Sequence, residues 1–298
     1  MDDARALRRA RRERRARMAW YLAAVVGAAA GLQTLWMHLT TDPLADVRAY
    51  YDAGARLNAG LPLYPAGQDV NANTAYFYPP LFAILFRPLA MLPFPVAATI
   101  WGSIVVLAFV ATLHRLGLRR RETWVAVGVL AFPIAWVLAV AQAQSLVTWL
   151  LTLGTPAAVA LAGQIKVFPV LAGAWWVGRR EWRAVGRLAG WSLALVTLQF
   201  VLEPRATVAF IGAIGTGWVG EVRNISPYAI SPFLWLVVVA ALLVAAVRWA
   251  RSPAGWPLAV ALATFAPPRL LSYMLMTLIA ALREPRSAGG DARRDPPR

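Results

Sequence analysis

Residues 42–81, DPLADVRAYYDAGARLNAGLPLYPAGQDVNANTAYFYPPL, decide how the chain is read. They form a polar, turn-rich interruption between two strongly apolar segments, and they hold four of the chain's 14 acids: Asp42, Asp46, Asp52 and Asp69. From Ala45 to Asn58, small and aliphatic residues alternate with Asp46, Arg48, Asp52 and Arg56, the pattern of a helix lying at an interface. Asn58-Ala59-Gly60 ends it, because glycine takes the left-handed terminating conformation without steric cost. Leu61 to Asn73 is rich in Pro, Gly, Asp and Asn and reads as an extended loop. Pro79-Pro80 then opens another helix, at positions where the missing amide hydrogen costs nothing.

Outward from this stretch the chain is apolar. Of its 298 residues 59% are hydrophobic and 15% charged, with a mean hydropathy of +0.55, far from the roughly one-quarter charged residues of soluble domains. The runs 18–40, 94–114, 123–141, 187–202 and 231–249 each approach the ~20 residues needed to cross a hydrocarbon core. They do not alternate polar with apolar, so they are helices and not barrel strands. The expected fold is an all-α, polytopic integral membrane bundle of about eight to eleven transmembrane helices, some short or broken, with two external loops. Its organisation is a basic arm over 1–17, a membrane domain over 18–283 with loops at about 41–79 and 203–231, and a disordered tail over 284–298.

The net charge of +16 does not point to nucleic acid, since the arginines cluster beside span ends and not across one face. They set topology instead. Seven arginines between Arg8 and Arg17 precede the first span, which places the N-terminus in the cytoplasm and the 41–79 loop outside. The same arm reads as a contact for anionic lipid. The first span is too long for the apolar region of a cleaved leader and is expected to be retained. Residues 81–92 are short for a crossing and leave two topologies open: with two crossings Arg115 and Arg119 to Arg121 fall outside, and with a re-entrant segment they fall inside. No cysteine is present, and the histidines number two, His38 and His114, which argues against a metal centre built on thiolate or imidazole.

Acids able to serve as a base near the outer face are Asp42, Asp46, Asp52, Asp69, Glu203 and Glu221, and Asp46 is the best placed. It follows the first span directly, where a lipid-borne headgroup would lie, with Tyr50 four residues on along the same helical face. A carboxylate there could take the proton of an attacking hydroxyl; pairing with Arg48 or Arg56 is the structural alternative. Lys166 interrupts the apolar run Val159 to Val177, where an ammonium needs a partner or water. A leaving phosphate would be such a partner, and snorkelling to the interface is the alternative. Arg269 could grip phosphate in bidentate fashion. Gln142, Gln144 and Asn224 suit sugar hydroxyls or helix caps. Tyr76, Phe77 and Tyr78 suit a sugar or prenyl chain, or an interfacial aromatic belt.

Asp46-Val47-Arg48-Ala49-Tyr50-Tyr51 with Gly60 and Tyr64, then Tyr78-Pro79-Pro80-Leu81 and Pro88-Leu89-Ala90-Met91-Leu92-Pro93-Phe94, resembles glycosyltransferase family 87. This is a family of the GT-C superfamily of polyprenyl-phosphate-sugar-dependent enzymes that includes bacterial alpha-mannosyltransferases. Pro133 with Gln142, Lys166-Val167-Phe168-Pro169 before Arg179-Arg180, and Asn224-Ile225-Ser226 are similar to later elements of the family. Ala141 stands where the family's glycine is expected. The resemblance implies Asp46 as the catalytic aspartate, Lys166, Arg269, Tyr273, Gln142 and Gln144 as donor phosphate or sugar contacts, and Tyr50, Tyr78 and Asn224 as acceptor or loop contacts. It implies transfer of a hexose, mannose above others, from a polyprenyl phosphate to the hydroxyl of a lipid or glycan acceptor at the outer face of the plasma membrane. The donor is a substrate, and neither metal nor cofactor is required. A transporter or flippase of lipid-linked sugars, or an inactive membrane assembly subunit, are the alternatives, because broken helices and a membrane-depth lysine serve translocation equally well.

Overall fold

The computed structural model describes residues 2–285 except 66, 68, 70, 73, 74 and 214–222. The described residues are 77% helix, with no strand among them. α1 (Asp2–Thr41) leads into α2 (Ala45–Asn58), the short α3 (Pro80–Phe86) and α4 (Phe94–Leu116). α5 (Arg121–Val129), α6 (Ala131–Ala139), α7 (Gln144–Leu153) and α8 (Pro156–Ile165) follow, then a 3-10 turn at Phe168–Gly173 and α9 (Ala174–Arg179). α10 (Trp182–Leu202), α11 (Pro204–Ala213), α12 (Pro232–Arg248), α13 (Gly255–Phe265) and a 3-10 helix at Ser272–Leu282 complete the chain.

Among the described residues three helices are long and apolar enough to cross a membrane: Arg11–Thr41 within α1, α4 and α10. A fourth span results if α5 and α6, bent by 71°, are taken as one. α7, α8, α12, α13 and Ser272–Leu282 are apolar but shorter. The basic arm over 1–17 is drawn into α1, which begins at Asp2. The 284–298 tail lies almost wholly outside the described residues, as does the middle of the second loop with Glu221.

One expectation changes, and one open choice narrows. The run 123–141, read as one rising helix, breaks at Leu130. Pro133 has no amide hydrogen for the carbonyl four residues earlier, and its ring clashes there, so the ladder cannot pass Val129. Against that break α1 packs through Gly27 and Gly31: a methyl at Gly27 would lie 2.3 Å from the Gly128 carbonyl oxygen, and one at Gly31 would lie 2.7 Å from the Ala131 backbone. The second concerns 81–92. α3 has 7 residues and rises only about 10 Å, which cannot span a ~30 Å core. Of the two topologies left open, the short segment stays at one end of the bundle.

The two ends differ in character. Arg283 donates to the Arg115 carbonyl, Arg115 Nε donates to the Thr152 carbonyl at 3.3 Å, and Arg179 approaches Glu284 at 3.7 Å. These contacts gather the last turn of α4, the last turn of α7 and the end of α9 at one basic pole. At the other end of α4, Arg48 lies over the Phe94 ring at 3.7 Å and the Tyr51 hydroxyl donates to the Leu92 carbonyl at 2.8 Å. α2 therefore sits at the pole opposite the basic one, separated by the 23 residues of α4, roughly 35 Å.

Candidate functional site

α1 ends at Thr41 and the chain turns through Leu44, a non-glycine held in the left-handed region at φ 59°. The Leu44 amide donates to the Ala139 carbonyl at 3.3 Å, tying the start of α2 to the end of α6. α2 buries Val47, Ala49, Tyr50, Ala53, Gly54 and Leu57 and leaves Asp46 in its first turn. A helix N-terminus favours negative charge at that position.

Opposite, α6 stops at Ala139 and Ala141 takes φ 51°, the left-handed conformation that suits the glycine expected there. This turn aims Gln142 inward. The Tyr50 hydroxyl donates to Gln142 Oε1 at 2.8 Å and accepts from the Ala143 amide at 3.2 Å. Gln142 Nε2 donates to the Tyr78 hydroxyl at 2.7 Å and reaches Asp46 Oδ1 at 3.4 Å. The Gln144 amide also points at Gln142 Oε1, at 3.2 Å. A backbone N–H can only donate, so this contact assigns the oxygen of the amide and leaves its nitrogen for Tyr78 and Asp46. Phe82 and Trp101 pack edge-on against the Tyr50 ring at 4.9 and 5.8 Å, and Phe86 tilted against it at 5.3 Å, which makes the network rigid.

In front of this wall lies a cavity of about 340 Å³. Asp42, Asp46, Phe77, Tyr78, Trp136, Gln144, Lys166, Arg223, Arg269, Tyr273 and Thr277 all line it. α8 ends at Ile165, Lys166 is extended at φ −142° and Pro169 opens the following 3-10 turn, so the break predicted at Lys166-Pro169 is present. It turns the ammonium inward. Lys166 Nζ stands 3.3 Å from the Tyr273 hydroxyl, 4.5 Å from the centre of that ring and 5.6 Å from the centre of the Tyr78 ring. The lysine thus faces the cavity and does not snorkel.

Burial pushes the Asp46 carboxyl up to about 7; the Lys166 charge pulls against this and the Asp42 charge adds to it. The alternative for Asp46 is not realised. Arg48 stacks on Phe94, and Arg56 Nε donates to the Pro62 carbonyl at 2.7 Å. Among the other candidate bases, Asp52 and Asp69 are exposed outside the cavity wall, and Asp69 caps the Asn71 amide at 2.8 Å. Glu203 pairs with Arg87 at 3.1 Å. The cavity therefore selects Asp42 and Asp46.

The remaining predicted residues take supporting positions. Tyr50 and Gln142 are fully buried behind Tyr78. Asn224 accepts from the Leu270 amide at 3.0 Å and donates to the Pro268 carbonyl at 3.0 Å, while Ser226 Oγ donates to the Pro267 carbonyl at 3.1 Å. It thereby ties the second loop to the 267–270 segment that carries Arg269. Arg269 lies over Phe77 at 5.5 Å, so this aromatic serves the cavity wall. Arg223, Trp136 and Thr277 line the cavity without having been predicted. No sequence signal marks Arg223; it reaches the rim because Asn224 and Ile225 are bound to Pro268 and Leu270.

The model of the family described as glycosyltransferase family 87 matches residues 76–266. That range contains Tyr78, Gln142, Gln144 and Lys166, and leaves Asp46, Arg269 and Tyr273 beyond its ends. The chain is also 30% identical over 228 residues, 64% of its length, to the polyprenol-phosphate-mannose-dependent alpha-(1-2)-phosphatidylinositol pentamannoside mannosyltransferase of Mycolicibacterium smegmatis. The match covers 55% of that relative, so the chain spans about half the length of the curated protein it resembles. No solved structure matches. A family match over well more than half of the chain, on an apolar helical bundle with a charged internal cavity, shows that this chain belongs to glycosyltransferase family 87.

Proposed function

We propose that the chain transfers a hexosyl group, mannose by analogy with its relative, from a polyprenyl phosphate to the hydroxyl of a lipid or glycan acceptor, with Asp46 as general base. The observation that carries this is the convergence of Asp46 and Lys166 on one cavity. Asp46 takes the proton of the acceptor hydroxyl as its oxygen bonds to the anomeric carbon, and the bond from that carbon to the phosphate oxygen breaks. The electron pair leaves with the polyprenyl phosphate. Lys166, with the Tyr273 hydroxyl beside it, faces the charge that develops on that group, and Arg269 holds the phosphate from the rim. Tyr78 and Gln144 line the space for the sugar, with Tyr50 and Gln142 fixing the wall behind them.

The short apolar helices complete the bundle as paired or re-entrant segments around the three long spans. The basic pole faces the cytoplasm by the positive-inside rule, which puts the cavity at the outer face of the plasma membrane. The experiment is incubation of the protein in proteoliposomes with labelled polyprenyl-phosphate mannose and phosphatidylinositol-mannoside acceptors. Labelled glycolipid from the wild type and none from Asp46→Asn is the expected result. Equal product from both removes Asp46 from the role of base, and vectorial movement of the donor without product replaces transfer by translocation.

A further inference from the structure

We propose that His38 is a positioning residue for this reaction: it fixes the Asp42 carboxylate on the cavity wall beside Asp46, so that a second acid stands next to the base. The inference rests on the assignment of Asp46 as base. His38 occupies the last turn of α1 and is 3% exposed. Its Nδ1 lies 2.7 Å from Asp42 Oδ1, the same oxygen that accepts from Thr41 Oγ1 at 3.0 Å. The imidazole stacks on Trp136 at 4.8 Å and 29°, and Trp136 in turn meets Tyr273 at 5.8 Å. The stack of His38 on Trp136, braced edge-on by Tyr273, therefore sets where the Asp42 carboxylate can lie.

The hydrogen positions follow from the partners. Asp42 accepts, so Nδ1 carries the hydrogen; His38 Nε2 is buried without a hydrogen-bond partner, and a second N–H there would be stranded. The dyad thus presents the single negative charge of Asp42. Asp42 and Asp46 line the same cavity, and among the described residues no third His, Asp or Glu joins them as a metal group. Asp46 is faced by Tyr50 from α2, Gln142 from the α6–α7 turn, Tyr78 from the loop before α3, Lys166 from the end of α8, Tyr273 from the last helix and Asp42 from the α1–α2 turn. Asp42 is the one acid in that set. A like charge beside a carboxylate strengthens its hold on a proton, which makes it the better base near neutral pH.

The test compares wild type, Asp42→Asn, His38→Ala and His38→Asn of the full chain in proteoliposomes, reading kcat/KM for polyprenyl-phosphate mannose against pH. In Asp42→Asn and His38→Ala the acid limb is expected to move to lower pH by about 0.5–1. His38→Asn keeps the wild-type limb, because its amide nitrogen can donate from near the Nδ1 position. A merely structural role lowers the rate at every pH and leaves the limb in place. Carboxyl carbon-13 titration of Asp46, identified by its loss in Asp46→Asn, follows the same change without turnover. If the wild type uses no lipid-phosphate sugar, the functional reading fails while this titration still decides the role of His38. An Asp46 midpoint unmoved in Asp42→Asn, or moved there and not in His38→Ala, overturns the proposal.

Discussion

Gln142 reaches from the turn after α6 to the first turn of α2, with its Nε2 3.4 Å from Asp46 Oδ1 and its Oε1 taken by the Tyr50 hydroxyl and the Gln144 amide. One buried amide thus joins the proposed base to Tyr78 on the cavity wall and to Tyr50 behind it. Gln142→Leu keeps the volume and removes every polar atom of that junction. The Tyr50 and Tyr78 hydroxyls lose their strongest partner inside the protein, at a cost of about 1–3 kcal/mol. Thermal unfolding in detergent, followed by tryptophan fluorescence, is expected to show a lowered midpoint, and transfer activity falls with it. An unchanged midpoint would mean that the network does not contribute to stability.

The pH dependence follows from the position of Asp46. Its carboxyl is raised to about 7, so below that pH the base carries a proton and cannot accept another. Transfer is expected to fall tenfold for each pH step below about 7. Asp46→Asn abolishes the limb together with at least a hundredfold of the rate. A rate that is flat from pH 5 to 8 in the wild type would contradict this assignment.

The Lys166 charge favours loss of the Asp46 proton, and in the proposed reaction the same ammonium faces the leaving group. Lys166→Met removes a cation that favours the carboxylate, so the acid limb moves to higher pH, opposite in direction to the change expected from Asp42→Asn. The plateau rate drops too, since the developing phosphate charge loses its counter-ion. Lys166→Arg is expected to restore part of the rate. A lowered plateau with the limb in its wild-type place would separate Lys166 from Asp46.

Ala141 holds φ 51° where it is 1% exposed and its carbonyl accepts from Trp101 Nε1 at 2.8 Å. A side chain in that conformation costs roughly 1–2 kcal/mol, offset in part by the greater freedom of glycine in the unfolded chain. Ala141→Gly is expected to stabilise the protein by about 0.5–1 kcal/mol, read as a raised unfolding midpoint with no change in the direction of Gln142. A lowered midpoint would mean that the methyl contributes more by packing than it costs in strain.

Composition and the pattern of the apolar runs determined that the protein is a helical membrane bundle: lipid leaves the backbone only helices or closed barrels in which to satisfy its amides, and runs that do not alternate polar with apolar exclude the barrel. The break at Lys166-Pro169 and the stop of α2 before Gly60 were legible for a local reason: proline and glycine act through their own backbone. What each polar side chain does was decided by residues far away in the chain. Asp46 is a cavity carboxylate and not a partner of Arg48 because Phe94 takes the arginine. Asn224 is a tie to Pro268 and Leu270, and Arg223 reaches the rim, because two segments more than 40 residues apart are bound together. Local spacing records which atoms a residue offers; only the tertiary packing, by excluding water and supplying partners, determines which of them remain turned toward the cavity.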